Sequence, residues 1–274
     1  MTISSSRAKT IGAFLKSRRE RLTPENAGLA FVSGQRKTPG LRREEVAVLA
    51  GVSVTYYTWL EQGRELTASR EVIESIAKAL RLSPDEKGHL LELWNPYASD
   101  TAIAPAAQAA LDPQVQTVID QVAYPSYITN ERTEVLAWNK AACEKLTDFA
   151  SVPAEGRSLI RLVFENEDMR RRIVNLDEFA SYGVAVFRTY YDKHREDPWY
   201  EETVEHLNRN SPAFVQLWKP YDVQHKRGNR VFLRSFADSD PVVYDIRPLA
   251  NLSDRPDLHI CVYMPASESR EADG

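Results

Sequence analysis

The chain has 274 residues, 43% of them hydrophobic and 27% charged, with a net charge of −4; this is the composition of a folded globular protein of two-domain length and excludes a disordered or low-complexity chain. Cys143 and Cys261 are too few and too far apart for a disulfide scaffold or a metal knuckle, so reduced thiols in a cytoplasmic protein are expected. No apolar run nears the roughly 18–20 residues that span a bilayer, and residues 1–6 are too polar for a signal peptide.

Ile11, Phe14, Leu15 and Leu22 outline a first helix that ends at Thr23-Pro24. A long connection follows, holding Gly28, Gly34, Pro39 and Gly40 with the basic pair Arg36 and Lys37. Helix connections in compact domains usually run about 2–8 residues, so a loop of this length and charge is expected to lie along a phosphate backbone. Residues 40–63 then spell two short helices joined by a glycine turn. Val46, Leu49 and Ala50, at i, i+3 and i+4, predict one buried face, with Arg42, Arg43, Glu44 and Glu45 in water. Gly51 takes positive φ at no steric cost and stops the helix. Ser53 N-caps the next, over residues 54–62, which buries Tyr57 and Leu60 and turns Val54, Thr55, Thr58 and Trp59 the other way. The second helix of a helix-turn-helix enters the major groove N-terminus first, so those outward side chains are the candidate base readers. An ordinary helical hairpin is the alternative; the small Ala47 and Gly51, where the helices must approach, and the basic flanks favour the DNA reader.

Ser69 begins a fourth helix with Val72, Ile73, Ile76, Ala77 and Leu80 on one face. Ser83-Pro84-Asp85-Glu86 opens a fifth, combining an N-cap serine, a first-turn proline and a capping-box glutamate, with Leu90, Leu91 and Trp94 as its buried face. Five helices make an all-α domain over residues 1–97, and the Ala-rich residues 98–110 read as a linker. Asp112-Pro113 restarts a helix with Val115, Val118, Ile119 and Val122 inward. Two short β-type runs, 127–130 and 135–138, flank a turn at Glu131-Arg132-Thr133-Glu134. Helical segments follow over 139–149, 176–195, from Pro198 to 210 and after Ser211-Pro212; strands at 231–236, 242–248 and 259–264 close the chain. Residues 111–266 therefore predict an α+β domain with a five-stranded antiparallel sheet, followed by a tail at 267–274. Charge follows this division: residues 1–97 hold 15 Lys+Arg against 11 Asp+Glu, residues 1–43 alone hold 10 against 2, and residues 98–274 hold 20 against 28. The basic N-terminal part is the expected DNA-facing half.

The run LRREEVAVLAGVSVTYYTWLEQGR, residues 41–64, resembles the helix-turn-helix of the Cro/phage-repressor type, a lambda-repressor-like fold. Together with TPGLRREEVA, SPDEKGHLLEL and SYITNERTEVLAWNKAAC, it makes the chain resemble the MmyB-like family of bacterial transcription regulators over roughly residues 10–265. The resemblance implies a DNA-binding domain followed by a PAS-like domain that binds a small apolar ligand, with fatty acids the suggested class. It places Ser53, Val54, Thr55 and Trp59 at bases, Arg43 at phosphate or base, and Tyr56 and Thr58 at the DNA backbone; Arg42 joins this surface beside Arg43. It also suggests a pair between Arg19 and Glu61.

Catalytic signatures do not stand out. The five histidines are scattered, His259 and Cys261 share one strand face without a third metal ligand nearby, and no Gly-rich phosphate loop follows a strand. Glu165, Glu167 and Asp168 read as solvated charge. Trp138, Phe179, Val186, Phe187, Tyr190, Trp199 and Trp218 would form a core or line a cavity, and apolar walls with few polar anchors suit a lipid-like ligand. A carboxylate head would need a donor such as Arg188, Arg234 or Tyr190. The expectation is a cytoplasmic homodimeric regulator that reads a two-fold operator in double-stranded DNA and senses an apolar ligand, with no enzymatic activity, metal, required cofactor or membrane partner. The alternative is a ligand-free dimeric repressor whose C-terminal domain serves only for dimerisation.

Overall fold

The computed structural model describes residues 5–29, 40–95, 111–234, 240–252 and 255–266, with the side chains of 250–252 and 256 outside the description. The chain forms two compact units. The first comprises Met1–Ala102, Arg188–Thr203 and Lys219–His225; the second comprises Ile103–Phe187, Val204–Trp218 and Lys226–Gly274.

The first unit is built on helices α1 (Ser5–Arg21), α2 (Pro24–Ala27), α3 (Arg43–Ala50), α4 (Val54–Glu61), α5 (Arg70–Ala79) and α6 (Pro84–Trp94). One helix more is present than expected, because Thr23 accepts from the Asn26 N–H and Pro24 sits in the first turn, enough to close the short α2. Gly51, at φ 67°, ends α3 by donating to Val48 O while the Val52 N–H reaches Ala47 O. The Ser53 hydroxyl then accepts from the Tyr56 N–H and starts α4. At α6 the expected capping box is complete, Ser83 Oγ accepting from Glu86 N–H and Glu86 from Ser83 N–H. Ile11, Phe14, Leu15, Val46, Ala47, Tyr57, Leu60, Ile73, Ile76 and Leu90 form the core.

The buried face of α3 differs from the expected one. Val46, Ala47 and Ala50 are buried, while Leu49 is 37% and Val48 75% exposed. In an eight-residue helix the neighbours that actually touch α3 decide the stripe, and these centre it on Ala47. In α6 the inward residues are His89, Leu90 and Leu93, with Leu91 and Trp94 half-buried.

Val223, far along the chain, joins the same core. Around it lies a buried polar network. His89 Nε2 is 3.1 Å from Asp192 Oδ2, and the Tyr221 hydroxyl donates to Asp192 Oδ1 at 3.2 Å. Arg18 donates to the Tyr221 carbonyl at 2.5 Å and pairs with Glu86 at 3.1 Å. The Arg188 guanidinium lies 4.3 Å from the Tyr221 ring centre; burial pushes it down to about 10 against the pull of Asp192, so it stays charged at neutral pH.

The second unit begins with α7 (Pro113–Asp120), strands β1 (Ser126–Thr129) and β2 (Val135–Trp138), and the short α8 (Lys140–Lys145). Two 3-10 turns, Phe149–Ser151 and Ala154–Gly156, lead into α9 (Leu159–Glu165) and α10 (Glu167–Arg172), neither of which the sequence reading delimited. Then follow α11 (Leu176–Lys193), α12 (Pro198–Asn210), α13 (Pro212–Trp218), and strands β3 (Asn229–Leu233), β4 (Val242–Leu252) and β5 (Arg255–Pro265). The C-terminal end of α11 and the start of α12 belong to the first unit. All strand pairs are antiparallel, in the order β2-β1-β5-β4-β3.

Val115 and Ile119 of α7 pack on Ile128, Ala137, Leu258 and Ile260, one face of this sheet. Val118 was expected inward but is 57% exposed, since the two positions that meet the sheet already fill the contact. Buried Asn139 ties the elements together: its side-chain oxygen accepts from Ser126 and Ala142 N–H, and its amide donates to Val122 and Tyr124 carbonyls. Strand alternation puts Tyr127, Thr129, His259, Cys261 and Tyr263 on the face opposite α7.

Removing Asp192 deprives the His89 ring and the Tyr221 hydroxyl of their shared acceptor and takes a counter-charge from the buried Arg188 guanidinium. Asp192→Ala should therefore destabilise the first unit by about 3–5 kcal/mol, read as a lowered denaturant midpoint; an unchanged midpoint would show that this carboxylate does not hold the network together.

Candidate DNA interface and ligand-domain residues

The helix-turn-helix presents the expected surface. Arg42, Arg43, Ser53, Val54, Thr55 and Trp59 are exposed, and Tyr56 and Thr58 are half-buried. The Ser53 hydroxyl is engaged as the cap of α4, and the Tyr56 hydroxyl donates to the Thr67 carbonyl at 3.1 Å. Trp59 is 39% exposed with the Arg64 guanidinium 5.2 Å from its ring centre, so this ring carries a cation on one face. Val48 and Leu49 add exposed apolar groups at the end of α3 that the sequence reading did not mark as surface. Arg36 and Lys37 lie outside the described residues.

Behind α4 stands an ion cluster. Arg19 on α1 makes a two-pronged contact with Glu61, Nε to Oε2 at 2.6 Å and Nη2 to Oε1 at 2.8 Å, and donates to the Leu41 carbonyl at 2.9 Å. Arg43 Nε reaches the same Glu61 Oε1 at 2.8 Å while its side chain remains partly in solvent. Burial by itself would raise the Glu61 carboxyl, but hydrogen bonds from Arg19 and Arg43 outweigh it and hold the group below the usual carboxylate range. The hydrogen bond to Glu61 raises Arg19 in turn. The contact that the sequence resemblance suggested is thus present, with Arg43 as a third member.

The backbones of α1 and α4 approach closely beside this cluster. A Cβ on Gly12 would lie 2.5 Å from the Glu61 carbonyl oxygen and 2.9 Å from Gly63 N. Only glycine fits there, and the ion pair closes the side of the same contact.

The residues expected to line a ligand site fall into separate groups. In the second unit, Phe187 and Trp218 have ring centres 6.1 Å apart, with Phe214 stacked on Trp218 at 5.3 Å and Phe164 edge-on to Phe214 at 5.4 Å. Trp138 belongs to another group, 5.6 Å from Phe149, with Arg157 over its ring at 4.8 Å. Phe179 and Val186 are buried on α11. Arg234 donates its backbone N–H to the Arg172 carbonyl and keeps a buried Nε. Arg188 and Tyr190, offered as head-group donors, are buried residues of the first unit. Glu165 pairs with Arg161 and His206, and Asp168 with Arg171.

Cys143 and Cys261 are free thiols. Among the described residues no group of three potential metal ligands converges, and no helix is long and apolar enough to cross a membrane.

Comparison with known families matches residues 111–273 to the family described as MmyB-like transcription regulator ligand binding domain. Residues 10–90 match the family described as helix-turn-helix domain. A search of curated proteins finds no significant match.

The depressed Glu61 carboxyl contributes stability that is present above the ordinary carboxylate value, about 4.3, and lost as pH falls through the lower folded-state value. Glu61→Gln should lower stability at pH 7 by about 3–5 kcal/mol and give a shallower loss on acidification, because the variant lacks the titrating group. Parallel acid-side slopes in thermal melts from pH 6 to about pH 3 would contradict this role.

Proposed function

The chain belongs to the MmyB-like family of transcription regulators, and from that membership we propose that it reads a two-fold operator in double-stranded DNA as a homodimer, under control of a small apolar ligand. The observation that carries the DNA reading is the exposed side of α4, where Val54, Thr55 and Trp59 project from a helix fixed at its back by Arg19 and Glu61. Thr55 and Trp59 offer a hydroxyl and an apolar edge to base pairs, and Val54 offers a methyl surface for thymine. Ser53 and the N-terminal amides of α4, with Tyr56 and Thr58, serve the flanking phosphates. Arg42, Arg43, Arg36 and Lys37 supply the charge that releases counterions.

In a two-fold complex the half-sites lie about 34–36 Å apart, one helical turn. The functional boundaries follow the sequence division, DNA binding within residues 1–97 and ligand binding within 111–266, in the cytoplasm where the DNA is. The PAS-like reading of the second unit rests on its five-stranded antiparallel sheet with helices on it. Aromatic side chains on α9, α11 and α13 give it apolar surface suited to a fatty-acid-like molecule. Such a ligand acts only through unequal affinity for two arrangements of the regulator. Helix α11 supplies residues to both units and is the natural carrier of that difference.

Replacing Thr55 or Trp59 by alanine should relax sequence preference, each lost base contact costing about 1–3 kcal/mol of discrimination; unchanged discrimination in competition binding would remove that residue from the reading surface. Replacing Arg36 and Lys37 together should weaken binding to all sequences and make the salt dependence less steep by roughly 2 in log–log slope. An unaltered slope would take this loop off the phosphates.

A further inference from the structure

One polar group in the second unit has no structural task that accounts for it. Lys226, just before β3, donates from Nζ to Thr129 Oγ1 at 2.7 Å. Thr129 is fully buried at the end of β1 and pairs in register with His259 on β5, so both side chains leave the same face of the sheet. His259 Nδ1 is buried and has no hydrogen-bond partner. Leaving such an atom unpaired is costly, and buried polar atoms in folded proteins are almost always satisfied.

The ring is neutral. Burial and the nearby Lys226 push its pKa down to about 4, against smaller opposing effects of the Glu131 charge and of Asp257, whose backbone lies near the ring and whose carboxylate adds a weaker pull. Asp257 is already held by Arg255 through two contacts of 2.8 Å. An ammonium has three donors and Thr129 takes one. The remaining donors of the half-buried Lys226, the buried Thr129 hydroxyl and the open Nδ1 of the half-buried His259 thus gather at one place on this face. Further along that face lie Tyr127, Cys261 and Tyr263, with Phe149 6.1 Å from the Tyr127 ring. A polar cluster with a cation therefore adjoins an apolar wall.

The geometry points to Lys226, Thr129 and His259 as the head-group site for a carboxylate-bearing apolar ligand, whose chain would run toward Tyr127 and Tyr263. This inference rests on the proposal that the second unit binds an apolar molecule, and it names the end that fixes orientation. Lys226 carries the charge; Thr129 holds Lys226 in place and shares the oxygen; His259 closes the site with its ring nitrogen.

The test uses the full-length protein with dodecanoate and methyl dodecanoate, titrated calorimetrically below their aggregation limits. The wild type should bind the acid at least about tenfold more tightly than the ester, the size expected of a charge-assisted hydrogen bond. Lys226→Met should abolish that preference by weakening the acid about tenfold more than the ester, and Lys226→Arg should restore most of it. Equal binding of acid and ester by the wild type, or an acid preference that survives in Lys226→Met, would overturn the head-group site while leaving apolar-ligand binding intact. Failure of the wild type to bind either probe would overturn both.

Discussion

Helix α4 is eight residues long, and an isolated helix of that length has almost no stability of its own in water. Its direction is therefore imposed from outside. The Arg19–Glu61 contact does this from α1, reinforced by the Leu41 carbonyl on Arg19 and by the close backbone approach at Gly12. A buried ion pair contributes little net stability compared with apolar packing of equal volume, but it tolerates only one geometry. Here that geometry sets which side of α4 faces solvent. Because Glu61 also accepts from Arg43, the same carboxylate orients a cation at the start of α3. The exposed side of α4, the surface proposed to meet DNA, thus depends on one acidic side chain.

The unit that holds this surface is not contiguous in sequence. Val223 fills part of its hydrophobic core, and Asp192 gathers His89 and Tyr221 inside it. His89 and Asp192 are too buried to gain from solvent, so each must be satisfied by another group. A buried polar network is also a discriminating one: it is stable when every member is present and costly when one moves. Residues matched to the ligand-binding family thereby sit within the compact unit that carries the helix-turn-helix. Helix α11 contributes residues to both units.

The second unit separates its chemistry by sheet face. The face under α7 is aliphatic, with Ile128, Ala137 and Ile260. The opposite face carries hydroxyls, a thiol and an imidazole in alternating register, and Tyr127 and Tyr263 spend their hydroxyls on each other at 3.0 Å. Burial drives both phenols upward in pKa, so they remain neutral donors and acceptors rather than charges. Apolar rings with a few fixed polar atoms are a surface for orienting a molecule that is mostly hydrocarbon.

The helix-turn-helix, its caps and the two-then-three strand order were legible in the sequence because each rests on local signals. Gly51 and Ser53 define a turn by backbone chemistry, Ser83 and Glu86 define a helix start, and Tyr57 with Leu60 defines a stripe. The pair of Arg19 and Glu61 came from resemblance, since nothing local links residues on separate helices. Leu49 and Val118 were misplaced for a common reason: helical period names a stripe about a third of the circumference wide, while the neighbours that fill it decide which edge is covered. Short elements such as α2, α9 and α10 had too few residues to establish a period. The union of His89 with Asp192, and of Lys226 with Thr129 and His259, was invisible in the sequence. Local sequence determined where helices start and stop and which residues face outward on α4. Only tertiary structure decided which distant polar groups share a buried space, because that depends on chain paths closing over about a hundred residues, and no local spacing encodes it.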